Sequence, residues 1–190
     1  MQLTGYEDLR VQKTISAIQT AFSQMLFEME YSKMTVKELC QRAKINKKTF
    51  YHYYENLDDL LAEYQSAYAA QFLSKIADYT FPDDIEKFIR AFFEFSAEQD
   101  KTYERITIAG AYQSIRQDMI DMVTSSTYKQ SDFVKKLPLF YQEAFLKFWN
   151  ITVLELYRQW VESKESISLE EIISLTTQLV CNGLSKFVMK

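Results

Sequence analysis

His52 is the sole histidine among the 190 residues, and it lies in a lysine-rich stretch, which excludes a His-rich metal site. Cys40 and Cys181 stand far apart, inside apolar patterns, without metal-ligand spacing. They read as reduced core thiols rather than a disulfide framework. Gly5, Gly110 and Gly183 are the only glycines, so no G-x-S-x-G elbow, G-x-G-x-x-G turn or phosphate loop can be written. The acid pairs Asp83-Asp84 and Glu170-Glu171 fall at helix starts, where the positive end of the helix dipole explains them. Carboxylates and tyrosines alone are left for catalysis. The expectation is a non-enzyme with no catalytic residue, no metal and no cofactor.

The chemistry that the residues do support is polyanion binding. The chain carries −4 overall, yet residues 33–54 hold Lys33, Lys37, Arg42, Lys44, Lys47 and Lys48 against Glu38 alone. That segment is +5, so the remainder is −9. A local basic patch in an acidic protein points to nucleic acid, the bland alternative being a solvated basic face. On a helix starting at Lys47, Lys48 falls near ~100° and His52 near ~140°, while Phe50 falls near ~300° and Tyr54 near ~340°. Lys48 and His52 thus share one face opposite Phe50, with Lys47, Thr49 and Tyr51 flanking it. This suits a DNA-recognition helix: Phe50, Tyr53 and Tyr54 anchor it, Lys48 and His52 reach base edges, and Lys47, Thr49 and Tyr51 meet phosphates. Thr35 adds a phosphate contact at the start of the preceding helix.

The elements that must position these residues are helical. Glycine and proline together make up 5 of 190 residues, too few turn formers for most β architectures. Ile15, Ile18, Phe22, Met25, Leu26 and Met29 recur at helical spacing, predicting a helix over about 8–29. Thr35-Val-Lys-Glu38 has the form of a capping box, with Glu38 reaching back, and opens a short helix. Asn46 caps the next, over about 47–54. Further helices are predicted from 57, over 83–98, from 101, from 111, over 138–162 and over 168–188, the last opened by Ser168-Leu-Glu-Glu171. Residues 125–136 read as a loop. The fold class is all-α, about nine helices, with a helix-turn-helix domain over 1–64 and a helical ligand-binding and dimerisation domain over 65–190. The longest apolar run, Ala67–Ala70, is far short of the about 20 residues of a membrane span, and the start carries no signal-peptide pattern. Together these readings give a cytoplasmic protein with no membrane partner.

The stretch from Met34 to Leu61, and above all Thr49-Phe-Tyr-His-Tyr-Tyr54 with Asp58-Asp-Leu-Leu61, resembles the DNA-binding domain of TetR/AcrR-type bacterial transcriptional regulators. The resemblance covers about residues 10–64. It implies a homodimer on a palindromic operator in double-stranded DNA, and an all-helical regulatory domain. It also implies repression relieved by a small-molecule effector, and DNA contacts at the positions of Lys48, Thr49, Tyr51 and His52. Lys44 departs from the pattern, standing where the family commonly has a turn glycine. A left-handed backbone there costs lysine about 1 kcal/mol relative to glycine. Lys48 replaces a position that is often small, and Leu57 replaces a lysine that often touches phosphate.

For the C-terminal part, the resemblance suggests that the last two long helices form the dimer interface. Phe145, Phe148, Trp149, Thr152, Leu156 and Trp160 form one broad face there, and Leu175, Leu179, Asn182 and Lys186 another. Phe92, Phe93, Tyr103, Tyr112, Phe145 and Trp149 are the candidate lining of an effector pocket, core packing being their alternative role. The rival readings are a DNA-binding activator and a helical interaction module, each governed by a protein partner instead of a small ligand.

Overall fold

The computed structural model describes residues 8–108, 113–163 and 166–188, with side chains for all of these except 105, 108, 113–118 and 184–188. Its helices are α1 (Leu9–Glu28), α2 (Val36–Arg42), α3 (Lys47–Tyr53), α4 (Leu57–Lys75), α5 (Ile85–Glu98), α6 (Lys101–Ile108), α7 (Gln113–Ser126), α8 (Asp132–Lys135), α9 (Leu139–Glu162) and α10 (Leu169–Val188). Among the described residues there is no strand, in keeping with the scarcity of turn formers. The helix beyond the expected nine is α8, inside the segment read as loop. The Ser131 hydroxyl caps it by accepting from the Phe133 N–H at 3.2 Å, and Val134 is fully buried. Four residues are too few to show a helical period, so composition alone was misleading there.

The chain forms two compact units. The first comprises Met1–Tyr68 and Asp100–Gln117. Its core is the α1 stripe of Ile15, Ile18, Phe22, Met25 and Leu26, with Leu39, Phe50, Leu60 and Leu61. Helix α6 packs on α1 with Tyr103 and Ile106 buried. The hydroxyls of Ser23 and Thr102 share a 2.9 Å hydrogen bond, and the Lys101 ammonium lies 5.8 Å from the centre of the Phe27 ring. The Tyr64 hydroxyl donates to the Gln19 carbonyl at 2.8 Å, which fixes α4 to α1. The Asp100 carboxylate accepts from the Tyr68 hydroxyl at 3.0 Å and from the Tyr103 N–H at 2.9 Å, so one side chain holds α4 and starts α6.

The second unit comprises Ala69–Gln99 and Asp118–Lys190, with α10 packed on both α5 and α9. Aromatic rings fill it. Phe93, Phe95, Trp149 and Tyr157 are buried, and the Tyr157 hydroxyl donates to the Ser96 carbonyl at 3.3 Å. The Ser168 capping box forms in full: the Glu171 carboxylate accepts from the Ser168 N–H at 2.8 Å, and the Glu171 N–H donates to the Ser168 hydroxyl at 3.2 Å. Arg90 makes two bonds to Glu170, at 2.7 and 2.9 Å, and holds that carboxyl below its ordinary range. Because the pair is exposed, it fixes the register of α5 against α10 more than it stabilises the unit. Among the described residues, no helix is long and apolar enough to cross a membrane.

Candidate nucleic-acid interface

The helix-turn-helix is built by local caps. The Thr35 hydroxyl accepts from the Glu38 N–H at 3.2 Å and starts α2. The Glu38 carboxylate does not reach back as the capping-box reading expected. It takes the Arg42 guanidinium at 2.8 Å, one turn along, where both partners carry charge. Arg42 also donates to Glu28 near the end of α1 at 2.5 Å, which ties α2 to α1. These two carboxylates raise the guanidinium pKa further, so Arg42 stays charged but is neutralised.

The turn between α2 and α3 is a left-handed helix stop. Lys44 has φ 54°, its N–H donates to the Gln41 carbonyl at 3.3 Å, and the Ile45 N–H donates to the Cys40 carbonyl at 3.0 Å. This paired closure normally uses glycine at the left-handed position. The backbone takes the left-handed turn and lysine carries the strain. We expect Lys44→Gly to stabilise the protein by about 0.5 kcal/mol, since the relief of the left-handed penalty exceeds the added unfolded-state entropy. Lys44→Ala, which keeps a Cβ, should give no gain. Urea midpoints of the two variants against the parent check this.

Asn46 then caps α3, its side-chain oxygen accepting from the Thr49 N–H at 2.7 Å and from the Thr49 hydroxyl at 3.0 Å. The predicted faces are realised. Phe50 is fully buried and Tyr54 nearly so, their ring centres 5.7 Å apart. Tyr53 is half-buried and sets its ring edge-on to His52 at 4.9 Å. Lys47, Lys48, His52 and Thr35 are exposed, Thr49 is half-buried, and Tyr51 is 54% exposed despite its ring. Burial pushes the Cys40 thiol up against the opposing pull of Lys47, and burial with nearby Glu63 pushes the Tyr54 phenol up. Both stay protonated at neutral pH and act as core groups. Cys181, expected to be buried, is half-buried.

The charge arithmetic needs one correction. Of the six cations in residues 33–54, Arg42 is taken by Glu28 and Glu38, and Lys33 pairs with Glu30 at 3.1 Å. Lys37, Lys44, Lys47 and Lys48 make no salt bridge among the described residues and form the free positive surface. At the start of α4, the Asn56 side chain accepts from the Asp59 N–H at 2.9 Å, and the Tyr31 hydroxyl bonds Asp58. This end of the helix, where Leu57 stands for the family's lysine, is acidic.

The six residues expected around an effector are spread over both units. Tyr103 belongs to the first unit, its ring 5.0 Å from that of Tyr68, and Tyr112 lies outside the described residues. Phe92, Phe93, Phe145 and Trp149 lie in the second unit. Phe92 and Phe93 pack on Tyr157 at 5.6 and 5.9 Å, and Trp149 packs on Tyr128 at 5.4 Å. Phe145 lines an apolar cavity of about 260 Å³ with Phe133, Leu137, Tyr141, Ala144, Phe148 and Gly183. Of this lining, sequence reasoning named Phe145 alone: Phe133 lies on the unseen α8, and the others come from α9, α10 and the link before α9, which periodicity does not bring together.

The expected broad face of α9 is also divided. Phe145, Trp149 and Trp160 are core residues, and Thr152 and Leu156 are half-buried. Leu139, Phe140, Tyr141, Phe148 and Ile151 are the exposed large apolar residues of α9, and on α10 Leu175 and Leu179 are exposed beside Asn182. The side chain of Lys186 lies outside those described.

Residues 23–64 match the family model described as bacterial regulatory proteins, tetR family. No curated protein matches the sequence. Among solved structures, a TetR transcriptional regulator from Streptococcus agalactiae is 20% identical over 90% of this chain and 95% of its own, with a TM-score of 0.68. The transcriptional regulator FadR from Bacillus subtilis, solved with stearoyl-CoA, is 16% identical over 87% of this chain and 97% of its own, at 0.60. The dihydroxyacetone kinase operon activator DhaS is 20% identical over 90% of this chain and 96% of its own, at 0.50. At these identities the likeness is one of fold, while the match over 23–64 falls on the capped α2–turn–α3 unit itself. That segment matches the DNA-binding domain of the tetR family of bacterial regulatory proteins.

Proposed function

We propose that the chain represses transcription as a homodimer on a palindromic operator, with DNA contacts made by Thr35, Lys47, Lys48, Thr49, Tyr51 and His52. The DNA-binding part is assigned to residues 1–64 and the regulatory part to 65–190. The observation that carries this is the division of α3, with Phe50 and Tyr54 buried and Lys48 and His52 exposed on the opposite face. The Thr35 hydroxyl accepts the cap bond and keeps its proton to donate to a phosphate. Two copies of α3 reading one palindrome must stand about 34–36 Å apart. An effector that binds better to a differently spaced dimer lowers DNA affinity by that differential. The apolar cavity lined by Phe145 suits a small apolar effector.

A second reading, an activator governed by a protein partner, is favoured by the ring packing that occupies Phe92, Phe93 and Trp149. DhaS, named as an operon activator, is similar in fold. A reporter driven by the operator separates the two: deletion of the protein raises output for a repressor and lowers it for an activator.

Selection of random duplexes on the purified protein, followed by anisotropy titration, tests the DNA reading. Enrichment of a palindrome is expected. Lys48→Ala should then cost about 1–3 kcal/mol at one base position. A uniform loss across sequences would make Lys48 a phosphate contact, and the absence of any enriched sequence would remove the specific-operator reading.

A further inference from the structure

The first two turns of α1 carry a second cationic surface that the recognition-helix reading does not use. Arg10, Lys13, Thr14 and Ala17 follow at helical spacing and line one side of a groove of about 540 Å³. Ala43 and Ile45, the residues on either side of the left-handed Lys44, line the other. Arg10 and Lys13 are exposed and make no salt bridge among the described residues. The groove therefore runs directly into the turn that leads to Asn46 and α3. Its one acid is Asp8, whose side chain is occupied by accepting from the Arg10 N–H at 2.7 Å.

We infer that this groove seats the DNA sugar-phosphate backbone beside the major groove read by α3, with Arg10 and Lys13 as phosphate contacts. The inference rests on the DNA-binding reading above. Two arguments select a phosphate strand as the occupant. One is continuity: a strand passing the N-terminal end of α3 meets Lys47 and Lys44, then the groove wall at Ile45. The other is charge: Arg10 and Lys13 extend the four free lysines of residues 37–48 onto a different helix, so the positive surface follows a path instead of a point. The small side chains of Ala17 and Ala43 leave room for a backbone to approach. Contacts of this kind fix register and carry no sequence information.

The test uses the full chain and the enriched operator. Arg10→Ala and Lys13→Ala should each weaken binding roughly two- to ten-fold, equally on operator and scrambled duplex. Each should also reduce the slope of log Kd on log salt by about 0.9. Arg10→Lys, which keeps the charge, should retain most of the affinity. Asp8→Asn keeps a capping oxygen and removes the negative charge, so it should tighten binding. Lys129→Ala, in the second unit, should change neither quantity. An Arg10/Lys13 double variant with parental affinity and salt slope would overturn the inference and leave the α3 reading intact. A loss confined to one base position would overturn it as well, by making the residue a base reader. Failure of the parent protein to bind any duplex would overturn both readings together.

Discussion

Phe50→Ala will unfold the DNA-reading unit before it changes any contact to DNA. Phe50 is fully buried and touches the rings of Tyr51 and Tyr54, at 5.5 and 5.7 Å between centres. Removing a buried phenyl costs about 3–5 kcal/mol, against a total stability of about 5–15 kcal/mol for a domain. The loss is concentrated where it matters. Helix α3 has seven residues, well below the about 12–15 at which an isolated helix persists in water. Its shape is held by the Asn46 cap and by this ring. The expected result is a urea midpoint shifted far down and no measurable affinity for any duplex. Phe50→Leu, which keeps most of the volume, should lose less than about 1.5 kcal/mol and still bind the operator. Parental stability in Phe50→Ala would show that α3 is not anchored through this side chain.

The second large effect concerns assembly. Tyr141, Phe148 and Ile151 on α9 are 50, 41 and 51% exposed, and Leu175 and Leu179 on α10 are 43 and 50% exposed. Helices α9 and α10 pack on each other, so these residues belong to neighbouring stripes. Exposed apolar residues on two long packed helices are what a monomer in water avoids and a dimer covers. In a two-fold interface each substitution acts twice, and an unpaired carboxylate buried among leucines costs several kcal/mol. The Ile151→Glu, Leu179→Glu double variant should therefore dissociate by a factor on the order of 10³ or more while keeping its helical content. Sedimentation velocity at micromolar concentration should find monomers, and operator affinity should fall to that of one half-site. A double variant that still sediments as a dimer would place the interface elsewhere.

The helix-turn-helix was legible in the sequence because its signals are local. The α1 stripe, the Thr35 and Asn46 caps and the opposition of Phe50 to Lys48 and His52 each need only a few neighbouring residues and a period of 3.6. Arg42 was misread because its partner Glu28 sits on another helix, and a count of charges within a window cannot see that pair. Helix α9 defeated the same method for a different reason. Its apolar residues surround the axis, so periodicity does not choose between Phe145 or Trp149 and Phe148 or Ile151. The choice is made by α5 and α10, packed in the same unit. Helix α8 is a single turn, held by the Ser131 cap and the buried Val134, and short helices of that kind leave no periodic trace.

The allegiance of α6 was also invisible in the sequence, and it bears on where the chain can be cut. The first compact unit is not a contiguous stretch: it takes in Asp100–Gln117 as well as Met1–Tyr68, through the Ser23–Thr102 pair, the Lys101 contact to Phe27 and the double use of Asp100. A chimera made by cutting once after α4 would strip the α1 core of its cover over Tyr103 and Ile106. Grafting this unit onto another protein calls for an insertion swap with several junctions, in which α6 travels with α1.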